Sequence, residues 1–343
     1  MALDPVDRIV TTPLHVGLFA HIADEADELG AVYRDFLELF TVAERVGVEY
    51  AWVRQFHLRN PGNRNRGGLP SPFVFLSHLA ARTSRIRLGT AAVTLPLERP
   101  LRVAEDAAVL DLLSDGRVEL GLANGGFPAL AGALGASYVE DQSDRRAAYL
   151  AAVDAVADAL RGRPLNEQGD LLAPASPELA GRIWQATLTE RSAFEAGARG
   201  EGVLLGTTQV VPAEVSAAAY HRGLAEGATA RVGVSTWIFP AADRATALRL
   251  AERGIRRKWE WAKGFLAPST TLEEIAATLN IHYGSAGQIA DSIARHPAFR
   301  YTTHLQLQVD GLYDSLAQRE DAVALFVTEV APALGWAPAT ATV

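Results

Sequence analysis

The stretch that decides the fold runs from Arg85 to Gly126, RIRLGTAAVTLPLERPLRVAEDAAVLDLLSDGRVELGLANGG. Its two ends read as strands. Arg85–Thr94 becomes apolar and β-branched toward its end, and Val118–Leu122 is a short apolar run. Pro96 and Pro100 punctuate a loop after the first strand. Val103, Ala107, Leu110 and Leu113 then recur at the three- to four-residue spacing of an amphipathic helix. Ser114-Asp115-Gly116 closes that helix, Gly116 being suited to a left-handed cap. Strand, helix and strand in so short a span make a parallel βαβ unit. Both strands leave through small residues, Ala91-Ala92 and Ala123-Asn124-Gly125-Gly126, and small residues at strand ends let a flat ligand approach the backbone.

The alternation continues along the chain. Strands are expected at His15–Ala20, Tyr50–Arg54, Ile86–Ala92, Val118–Leu122, Ile183–Ala186, Gly202–Leu205, Arg231–Trp237 and His304–Val309. A helical pattern follows each: Ala31–Val46, Pro72–Thr83, Leu101–Leu113, Ser143–Leu160, Glu190–Ala198, Pro212–Glu226, Ala241–Gly264 and Ser315–Val330. Eight βα units favour a closed (β/α)8 TIM barrel, an α/β fold in a single domain over 1–343, rather than an open doubly wound sheet. No GxGxxG follows the first strand, which weakens a dinucleotide-binding reading. Insertions near 55–71, 161–182 and 265–283 are long enough to act as lids, a further helix is expected at Ala286–Ala294, and Ala337–Val343 is expected to fray.

Composition narrows the function. Of 343 residues, 32 are Lys or Arg and 40 are Asp or Glu, a net charge of −8 that argues against a nucleic-acid partner. There is no cysteine, so disulfides, thiolate metal sites and cysteine nucleophiles are excluded. No apolar run approaches the ~20 residues of a spanning helix, and MALDPVDRIVTTP lacks a secretory pattern. The expectation is a soluble cytoplasmic protein acting on small molecules. Without HExxH, a P-loop or a GxSxG elbow, no metal centre, nucleotide cradle or serine nucleophile is expected.

Through GTAAVTLP, RPLRVAED and LLSDGRVELGLANGG, aligned without a gap from Gly89 to Gly126, the chain resembles the bacterial luciferase family of flavin-dependent monooxygenases. Fainter likeness extends from His15-Val16-Gly17-Leu18-Phe19 to the last helix. The resemblance implies reduced FMN supplied by a separate flavin reductase, with O2 used to oxidise a small organic substrate through a flavin peroxide. It also implies a homodimer pairing early helices, with Ala31–Val46 as a candidate face.

Site residues follow from the same resemblance. Active sites of such barrels lie at the C-terminal ends of the strands. Where the family commonly has Glu-His-His, this chain has Gln55-Phe56-His57, leaving His57 as the proton donor or acceptor and Gln55 and Phe56 as pocket residues. Ala91-Ala92 occupies the place of a non-proline cis peptide that supports the flavin ring. The family often has an arginine where Asn124 stands. Phosphate binding then falls to amides of Ala123, Asn124, Gly125 and Gly126, to the region of Thr187, Thr189, Gly206, Thr207 and Thr208, or to an arginine from elsewhere. Arg59, Arg64 and Arg66 are candidates, though they also read as solvated loop charge. Thr187 and Thr189 equally suit a helix cap.

Trp237, with Ile238 and Phe239, is expected to wall a substrate pocket, and His21 could join it. His15 and His304 begin their strands and read as structural, while Trp259 and Trp261 cannot share one helix face. Two other functions remain open at this point: a deazaflavin-dependent oxidoreductase of the same superfamily, and a non-catalytic flavin-binding subunit.

Overall fold

A computed structural model of the chain describes residues 8–338 apart from 11, 23–27, 59–66, 126–127, 137–138, 207–210, 265 and 267. Among the described residues the strands are β1 (His15–Ala20), β2 (Tyr50–Val53), β3 (Arg87–Thr90), β4 (Val93–Thr94), β5 (Val118–Ala123), β6 (Ile183–Ala186), β7 (Gly202–Leu205), β8 (Val232–Pro240), β9 (Ile281–Gly284) and β10 (His304–Gln308). The helices are α1 (Leu29–Arg45), α2 (Pro72–Ala80), α3 (Pro100–Leu113), α4 (Pro128–Ala133), α5 (Gln142–Leu160), α6 (Pro177–Ala180), α7 (Glu190–Ala198), α8 (Ala213–Gly223), α9 (Arg244–Ala262), α10 (Leu272–Thr278), α11 (Ala286–Ala294), α12 (Leu316–Leu325) and α13 (Ala331–Ala333).

All strand pairs are parallel, and the sheet closes because β10 pairs with both β8 and β1. The staves run β1, β2, β3, β5, β6, β7, β8, β10, and β4 prolongs the β3 stave beside β5. This is the (β/α)8 barrel expected from the sequence. Between β3 and β4 the Ala91–Ala92 peptide is cis.

Alternation along the strands sends one set of side chains into the barrel. The interior is filled by Trp52 and Trp184, with ring centroids 5.3 Å apart in a T-shaped pair. Two glycines make room for them. A Cβ on Gly89 would lie 2.1 Å from the Trp52 ring, and one on Gly202 2.3 Å from the Trp184 ring.

Below them the barrel is plugged. His304 stacks on His15 at 4.7 Å and meets Trp184 edge-on at 4.9 Å. Glu49 joins His15 Nδ1 at 2.6 Å and accepts from Trp336 Nε1 at 2.7 Å. Glu119 accepts from Arg87 Nε and from Trp184 Nε1, each at 2.6 Å. His15 and His304 are therefore structural, as their positions at strand starts implied.

Three expectations are corrected. The segment 265–283 is not simply a loop: it contains α10 and β9, and β9 pairs with the outgoing end of β8, Trp237 opposite Ile281 through Pro240 opposite Gly284. Four residues are too few for a period to declare the strand in the sequence. The segment 161–182 is not a lid. It precedes β6 and so lies at the opposite end from the mouth, where Ser176 Oγ donates to Asp111 Oδ2 at 2.7 Å and Arg182 donates to the same carboxylate at 2.8 Å.

The third correction concerns the helix faces. The apolar face of α1 turns inward, with Phe36, Leu37, Leu39 and Phe40 buried, and is not available to a second copy. Five of the exposed large apolar side chains lie on α2 and α3, Val74, Leu101, Val109, Leu112 and Leu113, and others are spread over α7, α9 and the loops. Leu113 thus departs from the buried stripe that Val103, Ala107 and Leu110 keep.

Candidate active site

The C-terminal strand ends surround a cavity of about 1390 Å3. Its wall includes His57, Ala91, Ala92, Ala123, Asn124, Gly125, Thr187, Thr189, Gly206, Gln55, Phe56 and Trp237, so these sequence-expected positions are brought together in one place. Thr207, Thr208, Gly126, Arg59, Arg64 and Arg66 lie outside the described residues.

His57 follows β2 and is largely buried. Its Nε2 has no hydrogen-bond partner among the described residues and lies 3.7 Å from Glu98 Oε1. Burial lowers its pKa below the ordinary value and Glu98 partly restores it, so the ring is neutral at pH 7 with a carboxylate beside it to stabilise the protonated form. Gln55 also lines the cavity, but its amide is fully engaged. Its Oε1 accepts from Thr94 N at 2.8 Å, and Nε2 donates to Glu98 Oε1 at 2.8 Å and to Pro70 O at 3.2 Å. Gln55 therefore fixes Glu98 and the loop rather than offering a free polar group.

Phe56 is held between neighbours: the Arg54 guanidinium lies 4.9 Å from its ring centre and His21 lies 5.7 Å away. His21 does join the wall. Burial foremost, then the charge of Arg54, pushes its pKa down to about 3, so it is a neutral ring at working pH. Trp237 forms wall as expected, with Lys258 Nζ 4.8 Å from its ring centre and its own Nε1 buried without a partner among the described residues. Phe239 stacks on Tyr313 at 5.1 Å, and Ile238 is core. Trp259 packs half-buried on the core, and the side chain of Trp261 lies outside the described set.

At the β6 exit, Thr189 caps α7, its hydroxyl accepting from Ser192 N at 3.2 Å, and Thr187 Oγ1 accepts from Thr189 N at 3.3 Å. The cap and the cavity wall are the same residues. Asn124 Oδ1 is buried with no partner among the described residues.

The sequence reading missed the charges nearest this corner: Arg145 and Arg146 in the first turn of α5, and Arg191 and Ser192 in the first turn of α7, all line the cavity. Arg146 and Arg191 share Glu195, at 2.8 Å and 2.9 Å. Counting one turn into the helix after each strand, instead of stopping at the strand end, would have found them. It also missed Asp310 just past β10 and Arg319 in the first turn of α12, which the same count would have reached, and Arg253, Arg257 and Lys258, which lie too deep in α9 for position to announce them.

The family description "Luciferase-like monooxygenase" matches residues 13–306. The chain belongs to the luciferase-like monooxygenase family. The oxygenase component of flavin-dependent trigonelline monooxygenase from Acinetobacter baylyi is 31% identical over 116 residues, which is 33% of this chain and 31% of that protein. The chain spans less than half the length of the curated relatives it matches, 45% and 31% for two of them.

Among solved structures, the oxygenating constituent of 3,6-diketocamphane monooxygenase from Pseudomonas putida, in complex with FMN, superposes with a TM-score of 0.72 at 18% identity, covering 93% of this family member and 98% of that chain. A coenzyme F420-dependent tetrahydromethanopterin reductase from Methanopyrus kandleri gives 0.68 at 19% identity, covering 93% and 99%. Both likenesses concern the barrel. Among the described residues no helix is long and apolar enough to cross a membrane, and no group of three or more His, Cys, Asp or Glu could hold a metal ion.

Proposed function

We propose that this luciferase-like protein is a single-domain, cytoplasmic flavin-dependent monooxygenase that takes FMN reduced by a separate flavin reductase and uses O2 to oxidise a small organic substrate. The observation that carries the reading is the cavity of about 1390 Å3 at the strand ends, whose wall sets the small residues Ala91, Ala92, Ala123 and Gly125 beside the hydroxyls and cations Thr187, Thr189, Ser192, Arg146 and Arg191. The small residues Ala91, Ala92, Ala123 and Gly125 leave room for a flat ring system against the backbone. The cavity exceeds the roughly 300–1000 Å3 of a single ligand pocket, which suits a cofactor and a substrate together.

When bound, the flavin supplies the redox chemistry. The chain's residues would do the rest. Ala91, Ala92, Ala123 and Gly125 would receive the ring. Thr187, Thr189, Ser192, Gly206, Arg146 and Arg191 would hold the phosphate end, supplying the charge that Asn124 does not. Neutral His57 would take or return a proton at Nε2, with Glu98 stabilising the charged ring. Water exclusion falls to the wall of Phe56 and Trp237.

Two relatives' names support parts of this: "oxygenase component" for the separate reductase, and the FMN complex for the cofactor. The coenzyme F420 neighbour keeps a deazaflavin as the second reading. The exposed apolar side chains of α2 and α3 support a homodimer through that face, and Leu112→Glu is expected to yield a monomer by sedimentation with the barrel intact.

The test is rapid mixing of the anaerobic protein and reduced FMN with oxygenated buffer. Reoxidation through a protein-dependent absorbance phase much slower than free flavin supports the proposal. Reoxidation at the free rate despite FMN binding sinks it, and exclusive binding of the deazaflavin moves it to the second reading.

A further inference from the structure

The cavity has a second cationic end. α5 follows the fourth stave and α12 the eighth, half a turn around the barrel, so the α5 and α7 arginines face Arg319 of α12 across the mouth. With Arg319 stand Arg253, Arg257 and Lys258 of α9. Arg54, beside His21, lines the same wall, and against these five cations the described residues set three carboxylates, Asp35, Asp310 and Asp314.

The pairing is uneven. Lys258 Nζ lies 2.5 Å from Asp310 Oδ2, both buried, so these two neutralise each other. Arg257 donates to Gly311 O. Arg253 and Arg257 reach Asp314 only at 3.8 and 3.9 Å, and Asp314 is mostly exposed, so this contact is weak. Arg319 lies 5.4 Å from the Phe36 ring centre, and its Nε is buried with no hydrogen-bond partner among the described residues. The planar fork of a guanidinium matches a carboxylate. Phe36, Trp237 and Tyr313 line the same side with apolar surface.

We infer that the substrate is an organic acid, its apolar body against Phe36, Trp237 and Tyr313 and its carboxylate received by Arg319 and Arg253. The inference rests on the flavin reading, since it is the flavin that would occupy the opposite, α5–α7 end. An apolar wall with more cations than carboxylates selects an acid over its uncharged analogue.

The experiment is isothermal titration of FMN-saturated protein with paired probes of the same body: 2-naphthoate against 2-naphthalenemethanol, and decanoate against decanol. In at least one pair the acid is expected to bind about tenfold more tightly than the alcohol, the preference fading with added salt. Arg319→Gln and Arg253→Gln should each reduce that preference while FMN affinity stays within about twofold. Arg253 is 80% exposed, so its replacement leaves the fold intact even where Arg319→Gln does not.

Equal affinity of acid and alcohol in both pairs, no binding of either acid, or a preference untouched in both variants would overturn the inference. Loss of FMN affinity in Arg319→Gln would overturn it too, by giving this end to the cofactor. If FMN does not bind at all, the flavin reading fails on that measurement alone, and the acid–alcohol comparison is read on the unloaded protein with the same outcomes.

Discussion

The two ends of this barrel are built from the same staves and finished in opposite ways. At the bottom, Glu49 joins His15 and Trp336, and Glu119 joins Arg87 and Trp184. At the mouth, His57 Nε2, Asn124 Oδ1, Trp237 Nε1 and Arg319 Nε are buried with no partner among the described residues. Trp52 Nε1, inside the barrel, shares that condition. The contrast lies in what the ends leave open: the bottom ties its polar groups to one another, whereas the mouth keeps about 1390 Å3 free beside small residues and arginines.

The contrast breaks most visibly in the packed interior. Gly89→Ala places a Cβ 2.1 Å from the Trp52 ring, and neither ring nor strand has room to yield. A loss of about 3 kcal/mol or more in urea unfolding is expected, and a loss below about 1 kcal/mol would show that the interior is looser than its geometry implies. At the mouth the effect should fall on turnover instead. His57→Ala is expected to lower kcat roughly 100-fold while stability stays within about 0.5 kcal/mol. An equal loss of stability would make His57 a packing residue.

Arg191→Gln tests the phosphate corner. FMN should bind about tenfold more weakly by fluorescence titration, with the Arg146–Glu195 pair left in place, and an unchanged Kd would remove Arg191 from the site.

A further prediction turns on pH. His21 and His282 are pushed down to about 3, chiefly by burial, and His304 falls well below 6.5 for the same reason. Each is neutral in the fold and titrates near 6.5 when unfolded, so the unfolded chain binds more protons between those values. Their contribution to stability is complete above pH 6.5 and is lost as the pH falls through that window toward about 3. Tm should therefore decline steadily below about pH 6.5, before carboxylates titrate, and a flat profile down to about pH 5 would contradict it.

How much of this could be read in the sequence depended on whether spacing or depth placed a residue. The stave pattern was legible because apolar runs alternate with helical periods, and Ala91-Ala92, Asn124 and His57 were legible because strand ends must face the mouth. β9 was not, since Ile281-His282-Tyr283-Gly284 is too short to show a period. Arg253 and Arg257 were not, because they lie well inside α9 and reach the mouth only through tertiary packing. The insertion 161–182 misled because length suggests a lid, whereas a segment that precedes a strand belongs at the other end.

The two tryptophans and their glycines carry a consequence for how the barrel can be rebuilt. Trp52 on β2 requires the bare backbone of β3, and Trp184 on β6 requires that of β7. Neighbouring staves are thus matched like lock wards, and a chimaera that imports β3 from a relative with a side chain at position 89 must import β2 with it. At the mouth one tie of the same kind joins the β2 and β4 exits, Gln55 holding Thr94, Glu98 and Pro70, and Gly125 lies against Thr94. New substrates should be sought by swapping the other mouth loops while that tie and the β2–β3 and β6–β7 pairs are inherited whole.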